Sequence, residues 1–135
     1  VRIEELFGGS FIGNNFTSGN KVACNGIHFV RGADKIIDAV SISNNTVVSY
    51  AATSNWLKVD AGGSTTNWGK VTYGRNNLVA VTNEISDTDN LLRYSYLRTG
   101  SAFPSSAPTG ESFYKTAGDT LGIWNGSAWR KILTQ

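Results

Sequence analysis

Residues able to carry out chemistry are few in this chain of 135 residues, which contains one histidine and one cysteine. Cys24 and His28 lie close in sequence with Asn25 and Gly26 between them, so a turn could place a thiol beside its base. A residue that would orient the imidazole cannot be identified, and a packed or half-exposed histidine on a strand, together with a buried thiol, is the simpler interpretation. We therefore expect a protein that is not an enzyme and has no catalytic residue.

The carboxylates are also poorly placed for catalysis or for metal binding. Glu4 and Glu5 are adjacent, so on a strand their side chains point to opposite faces and cannot act as an acid and base pair. Asp87 and Asp89 could offer oxygen ligands to Ca²⁺, but the segment lacks the glycine and the distal glutamate of an EF-hand loop. A solvated turn is the better interpretation, and we expect neither a metal site nor a cofactor.

The charge distribution and the hydropathy of the chain limit the classes of partner that it could bind. The 12 basic and 10 acidic residues leave a net charge of +2 and are scattered along the chain, which argues against a nucleic-acid partner. Arg93 and Arg98 bracket two tyrosines, but a solvated strand face explains this pattern. We find no apolar stretch long enough to span a membrane and no signal peptide, so we expect no membrane partner and synthesis in a cytoplasm.

The sequence predicts short β-strands separated by turns, and these elements would position any functional site. Charged residues make up only 16% of the chain, and 15 glycines accompany many Ser, Thr and Asn residues, a composition typical of turn-rich β-structure. The predicted strands of the body are residues 27–30, 35–42, 46–52, 56–59, 70–73, 78–82 and 91–97. The expected fold class is all-β, an antiparallel sandwich or open barrel with an N-terminal arm and a C-terminal β-hairpin.

We divide the chain into an arm at 1–26, a β body at 27–101, a linker at 102–109 that holds both prolines, and a hairpin module at 110–135. The arm could lie on a neighbouring subunit or be an ordinary frayed terminus.

The body contains two similar four-strand segments. An offset of 42 residues, from 36 to 78, aligns Ile36 with Leu78. This period would suit propeller blades, but a sandwich with evenly spaced hairpins is favoured.

The C-terminal hairpin is the most distinctive segment. Asn125-Gly126 matches a two-residue type I′ turn, which would place Trp124 opposite Ser127 and Gly122 opposite Trp129. The glycine would then leave room for the second indole.

The residues Phe113-Tyr114, 118–121 and 124–129 together resemble a short element found near the chain ends of bacteriophage exterior proteins, such as tail fibres, head fibres and decoration proteins. The resemblance implies a non-enzymatic structural component of a virion exterior, a head decoration protein or a fibre and tail-tip module. It also implies synthesis in the host cytoplasm, assembly as a homotrimer, and contacts with copies of itself and with other virion proteins.

Aromatic residues are the candidate contact residues, because they can anchor subunit interfaces or stack on sugar rings. They are Trp56, Trp68, Trp124, Trp129 and Tyr114. They could equally belong to the core, and an exposed Trp56 or Trp68 would be the first candidate. The alternative function is a carbohydrate-binding, lectin-like module with a host-surface glycan as partner. A small hydrolase ranks third, since titratable groups are too few.

Overall fold

The computed structural model describes residues 1–18, 24–30, 35–60 and 68–134, and of residues 51–54 and 133–134 it describes only the backbone. These residues form thirteen strands and no helix, which confirms the all-β prediction. The strands are β1 (Arg2–Ile3), β2 (Leu6–Ile12), β3 (Asn15–Thr17), β4 (Asn25–Val30), β5 (Ile37–Ser43), β6 (Thr46–Asp60), β7 (Val71–Tyr73), β8 (Asn77–Asp87), β9 (Arg93–Tyr94), β10 (Arg98–Gly100), β11 (Ser112–Lys115), β12 (Thr120–Trp124) and β13 (Trp129–Thr134).

Strands β1 to β9 form a parallel solenoid, in which the chain winds repeatedly around one core. Every ladder among them is parallel, and strands that are consecutive in sequence do not pair with each other. One face stacks β1, β4 and the second halves of β6 and β8. A second face stacks β2, β5, β7 and β9, and a third stacks β3 with the first halves of β6 and β8. Each strand therefore pairs with the strand one coil away.

Left-handed backbone positions recur where the chain turns from one face to the next. Gly13 has a φ of 70°, and Asn44, which lies one coil later, has a φ of 55°. Ser49 at 61° and Ala80 at 54° form a second such pair. A single left-handed residue bends a strand without reversing it, so the chain continues around the solenoid.

A ladder of asparagines fixes one of these corners. Asn14, Asn45 and Asn76 follow one another at intervals of 31 residues. The Oδ1 of Asn45 accepts hydrogen bonds from the backbone N and the Nδ2 of Asn14, at 3.0 and 3.2 Å. The Oδ1 of Asn76 accepts the same two bonds from Asn45, both at 2.9 Å. Because Asn45 is fully buried, the ladder satisfies polar groups that no water reaches.

The interior of the solenoid is filled by stacked apolar side chains. Ile27 lies beside Leu57 on the first face, and Val40 lies beside Val71 on the second. These four side chains are almost completely buried, and their removal from water is the main stabilising contribution to such a core.

The predicted antiparallel sandwich or barrel is wrong, because the sheets are largely parallel. The predicted strands lie close to observed ones, but the polar segments between them are not the hairpin turns of an antiparallel fold. These segments instead lead the chain from one face of the solenoid to the next, as at the corner that contains Asn45. Only the C-terminal sheet, where β11, β12 and β13 form an antiparallel meander after the parallel pair β10 and β11, resembles the expectation.

The offset of 42 residues does not correspond to the ladders either. Val40 pairs with Val71 and Thr46 with Asn77, and the repeat at this corner is 31 residues. Residues 1–17 of the predicted arm contribute β1, β2 and β3 to the first coil.

Candidate functional site

The C-terminal sheet has a small aromatic core of its own. The Phe103 and Trp129 rings stack with centroids 4.9 Å apart and an interplanar angle of 12°. The indole N–H of Trp129 donates to the carbonyl of Pro104 at 2.7 Å. A Cβ on Gly122 would lie 2.9 Å from two atoms of the Phe103 ring, so the missing side chain makes room for that phenyl group. The second indole thus serves the internal packing of the sheet.

The predicted register of the hairpin is wrong. Trp124 pairs with Trp129, and the loop between them contains four residues, not two. Asn125 explains the difference, because its Oδ1 accepts hydrogen bonds from the backbone N–H groups of Ser127 and Ala128 at 3.0 and 2.8 Å. The Asn125 side chain therefore closes the longer turn. A type I′ turn would need a positive φ at both Asn125 and Gly126, but only Gly126 has one.

Polar contacts attach the C-terminal sheet to the last coil. The backbone N–H of Tyr94 in β9 donates to both carboxylate oxygens of Glu111, at 3.2 and 3.1 Å. Arg93 donates from Nη1 to the carbonyl of Thr109 at 2.9 Å. The edge of β9 is thereby occupied, and the C-terminal sheet caps the solenoid at this end.

Two carboxyl groups near the cap are held in partly desolvated positions. Burial raises the pKa of Asp87, although the backbone N–H groups of Leu91 and Leu92 donate to it at 3.0 and 2.9 Å and act in the opposite direction. Burial also raises the pKa of Glu111, against the hydrogen bond from Tyr94. Both carboxylates accept hydrogen bonds from backbone N–H groups and so fix the neighbouring backbone segments in place.

A cleft separates the cap from the last coil and contains two of the predicted contact residues. Trp68 and Trp124 both line it, and its volume is about 300 Å³. Asp89, Asn90 and Arg93 add polar groups to the wall. Trp68 is half-buried, and its Nε1 is buried without a hydrogen-bond partner in the described part of the chain. The cleft therefore combines aromatic surface with donors and acceptors.

The outer face of the C-terminal sheet carries a second group of apolar side chains, which we call the outer strip: Tyr114, Leu121 and Ile123. Tyr114 pairs with Leu121, and Ile123 lies two residues further along β12, on the same face. The Tyr114 hydroxyl donates to Asp119 at 2.7 Å, and this hydrogen bond raises the pKa of the phenol. Ile123 is exposed at 37%, so the outer strip presents apolar surface to solvent.

The other predicted tryptophan, Trp56, lies in the core of the solenoid and is completely buried. Its indole N–H donates to the Tyr73 hydroxyl at 2.9 Å, and that hydroxyl donates to Glu84 at 2.6 Å. Burial and the Glu84 carboxylate raise the pKa of Tyr73 far above its ordinary value. Trp56 in this conformation offers no surface to a partner.

The residues first considered for chemistry do not form a cluster. His28 lies in β4 and Cys24 directly precedes this strand. Burial, followed by the neighbouring charge of Lys58, lowers the pKa of His28. The Asp87 carboxylate accepts hydrogen bonds from backbone N–H groups, whereas Asp89 is exposed. Within the described ranges, no three His, Cys, Asp or Glu side chains come together as a metal site, and no helix could span a membrane.

Sequence reasoning missed the asparagine ladder and the role of Glu111. The ladder leaves a signal, because Asn14, Asn45 and Asn76 each adjoin another asparagine and each precede, by two residues, an apolar residue of the next strand. A search for recurring Asn-Asn pairs would have indicated the approximate repeat length at this corner. Glu111 has no comparable signal, since its partner is a backbone N–H that the fold brings to it.

No protein-family model, curated protein or solved structure matches this chain.

Proposed function

We propose that this chain is a non-enzymatic structural module of a bacteriophage virion exterior, of the head decoration or fibre and tail-tip type. It acts through contacts with copies of itself, as a homotrimer, and with other virion proteins. The observation that carries the proposal is the position of the C-terminal segment. The residues that resemble phage exterior proteins form a sheet that closes one end of the solenoid.

The physical role of this sheet agrees with such a module. An uncovered coil would expose unpaired backbone groups and attract other strands. Glu111 and Thr109 cover that end with specific hydrogen bonds. The end of the solenoid at β9 is thereby covered by the C-terminal sheet.

The outer strip supplies a contact surface. Tyr114 and Leu121 are half-buried within the chain, and Ile123 is more exposed. Burial of such aromatic and aliphatic side chains between subunits is the usual source of interface stability. We assign the trimer contact to this strip.

Immunogold electron microscopy of intact virions, from the phage that encodes the chain, tests the proposal. Antibodies against the purified chain should label the head surface, the fibres or the tail tip. Antibody depleted with purified chain serves as the control. Labelling of disrupted particles alone, or of none, would contradict a position on the exterior.

A second candidate function is carbohydrate binding in the cleft between the cap and the last coil. The supporting observation is the pairing of Trp68 and Trp124 with Asp89 in one concave surface. A sugar ring could stack on an indole while its hydroxyl groups bond to the carboxylate. The cleft therefore contains both the aromatic surface and the hydrogen-bonding groups that would bind a neutral pyranose.

NMR of the indole N–H groups tests this second function directly. Titration with the methyl pyranosides of glucose, galactose, mannose and N-acetylglucosamine should shift the signals of Trp68 and Trp124. The Trp56 signal is an internal control, because that indole is buried and bonded to Tyr73. Substitution of Asp89 by Asn should weaken binding, and unmoved signals throughout would exclude this function for these sugars.

A further inference from the structure

A second concave surface lies beside the cap and is built around two arginines. Its cavity volume is about 450 Å³. We call it the arginine hollow, and its lining residues are Arg75, Tyr96, Leu97, Arg98, Thr99 and Phe113.

Aromatic rings hold both guanidinium groups of the hollow. The Cζ of Arg98 lies 3.9 Å from the centroid of the Tyr94 ring and 5.7 Å from that of Phe113. The Cζ of Arg75 lies 4.8 Å from the centroid of the Tyr96 ring. Such stacking fixes the plane of a guanidinium and leaves its N–H groups directed along the edge of the plane.

The Arg98 fork has unused hydrogen-bonding capacity. Its Nε is buried without a hydrogen-bond partner among the described residues. A buried donor of this kind is costly unless a ligand or water satisfies it.

The nearby carboxylates do not supply that partner. Arg98 is close enough to lower the pKa of Asp87 and of Glu111, in opposition to their burial. However, Asp87 accepts from backbone N–H groups of the 91–92 segment, and Glu111 accepts from that of Tyr94. The ion pairs seen within the described ranges lie elsewhere, at residues 2–5 and 35. Within the described ranges, neither arginine of the hollow therefore forms a direct ion pair, although Asp87 and Glu111 lie close enough to Arg98 to interact with its charge.

The hollow is also accessible from solvent. Arg75, Leu97 and Thr99 are exposed, and the Arg98 side chain forms the deeper wall. An incoming group would meet two guanidinium groups and the side chains of two hydroxyl-bearing residues, Tyr96 and Thr99.

We propose that the arginine hollow is a binding site for an oxyanion, a carboxylate or phosphate group borne by a larger ligand. Arg98 binds its oxygens through the two Nη groups at the end of its guanidinium, and Arg75 adds the second positive charge at the rim. Planar bidentate binding of this kind is the geometry for which arginine is suited. The site is separate from the outer strip, so it adds a ligand-binding role to the structural one.

The test is NMR of the Arg98 Nε–H signal in the full chain, titrated at constant ionic strength. The probes are sodium phosphate, sodium glucuronate and, as the uncharged analogue of the latter, glucose. A saturable shift with phosphate or glucuronate is expected, and the stronger of the two identifies the source of the oxyanion. Glucose and sodium chloride should cause no saturable shift.

Two variants complete the test. Arg75→Ala removes an exposed side chain, so the fold is retained, and the affinity should fall at least about tenfold because a charge-assisted contact is lost. Arg130→Ala removes another exposed arginine, on β13, and should leave the affinity unchanged. The proposal is overturned if neither anion gives a saturable shift, or if both variants weaken binding equally. Neither result bears on virion labelling, which tests the structural function by itself.

Discussion

At the residue scale, Asn45 is the clearest example of a side chain that replaces missing backbone contacts. Its Nδ2 donates to the carbonyl of Phe11 and to the Oδ1 of Asn76, both at 2.9 Å. Its Oδ1 accepts two bonds from Asn14. One buried amide therefore connects three successive coils, and no apolar residue could do so.

Substitution of Asn45 by Ala should lower the free energy of unfolding by about 2–4 kcal/mol, because several buried polar groups lose their partners. Urea denaturation measures the loss. Asn77→Ala is the matched control, since Asn77 is exposed and lies in the same turn region one coil later. Equal stability of the two variants would contradict a structural role for the ladder.

Residue types alone could not tell which tryptophans are available to a partner. Strand periodicity separates the two faces of a strand but does not say which face is buried. Trp56 is in the core, whereas Trp68 lines a cleft, and both follow polar segments in the sequence. The spacing of Asn14, Asn45 and Asn76 is a signal that the sequence does contain, since it gives the repeat of 31 residues at their corner.

At the element scale, the cap depends on the close approach of Phe103 to Gly122. The phenyl ring lies between that glycine and the stacked indole of Trp129. A side chain on β12 at this point would displace the ring and open the aromatic core of the cap.

Gly122→Ala should therefore lower the free energy of unfolding by about 1–3 kcal/mol through overpacking. Near-ultraviolet circular dichroism should also report the displaced Phe103 and Trp129 rings. Gly9→Ala is the control, because a Cβ there would meet only the flexible Leu6 side chain at 3.4 Å or more. If the two variants behave alike, the tight packing at Gly122 is not important for stability.

The contact between the cap and β9 should depend on pH. The pKa of Glu111 is raised by burial, so its contribution to stability is complete below its unfolded pKa and is lost as the pH rises through its folded pKa. Glu111→Gln retains an acceptor for Tyr94 but cannot ionise. The stability of the variant relative to wild type should thus increase from acid to neutral pH, as thermal melts would show. A constant difference across this range would contradict the burial of an ionised Glu111.

The elements themselves were largely predictable, whereas their pairing was not. The stretches 27–30, 70–73 and 78–82 overlap β4, β7 and β8 because β-branched and aromatic residues favour extended backbone. Pairing depends on contacts one coil away, and the turn residues are compatible with both a reversal and a corner. The Asn125 loop is a smaller example, because its sequence is compatible with a two-residue turn and with the observed four-residue turn.

At the scale of the whole molecule, one end of the solenoid is capped and the first coil is more exposed. Phe7 and Ile12 in β2 are exposed at 75% and 52%. The cap carries the outer strip on its far face. The two regions provide separate apolar surfaces, and we assign self-association to the outer strip.

Ile123→Asp should dissociate the proposed trimer without unfolding the chain, because a charge on the outer strip cannot be buried between subunits without a large cost. Sedimentation velocity should show the smaller species, and circular dichroism should show an unchanged fold. Val79→Asp, on an exposed position of β8, is the control and should remain trimeric. A trimer that persists in Ile123→Asp would place the contact elsewhere.

The central claim, that the chain functions by assembling with copies of itself, is tested most directly by the mass of the purified protein in solution. Multi-angle light scattering across a range of concentrations should give three times the 14.5 kDa of one chain. A mass of 14.5 kDa at every concentration would contradict it.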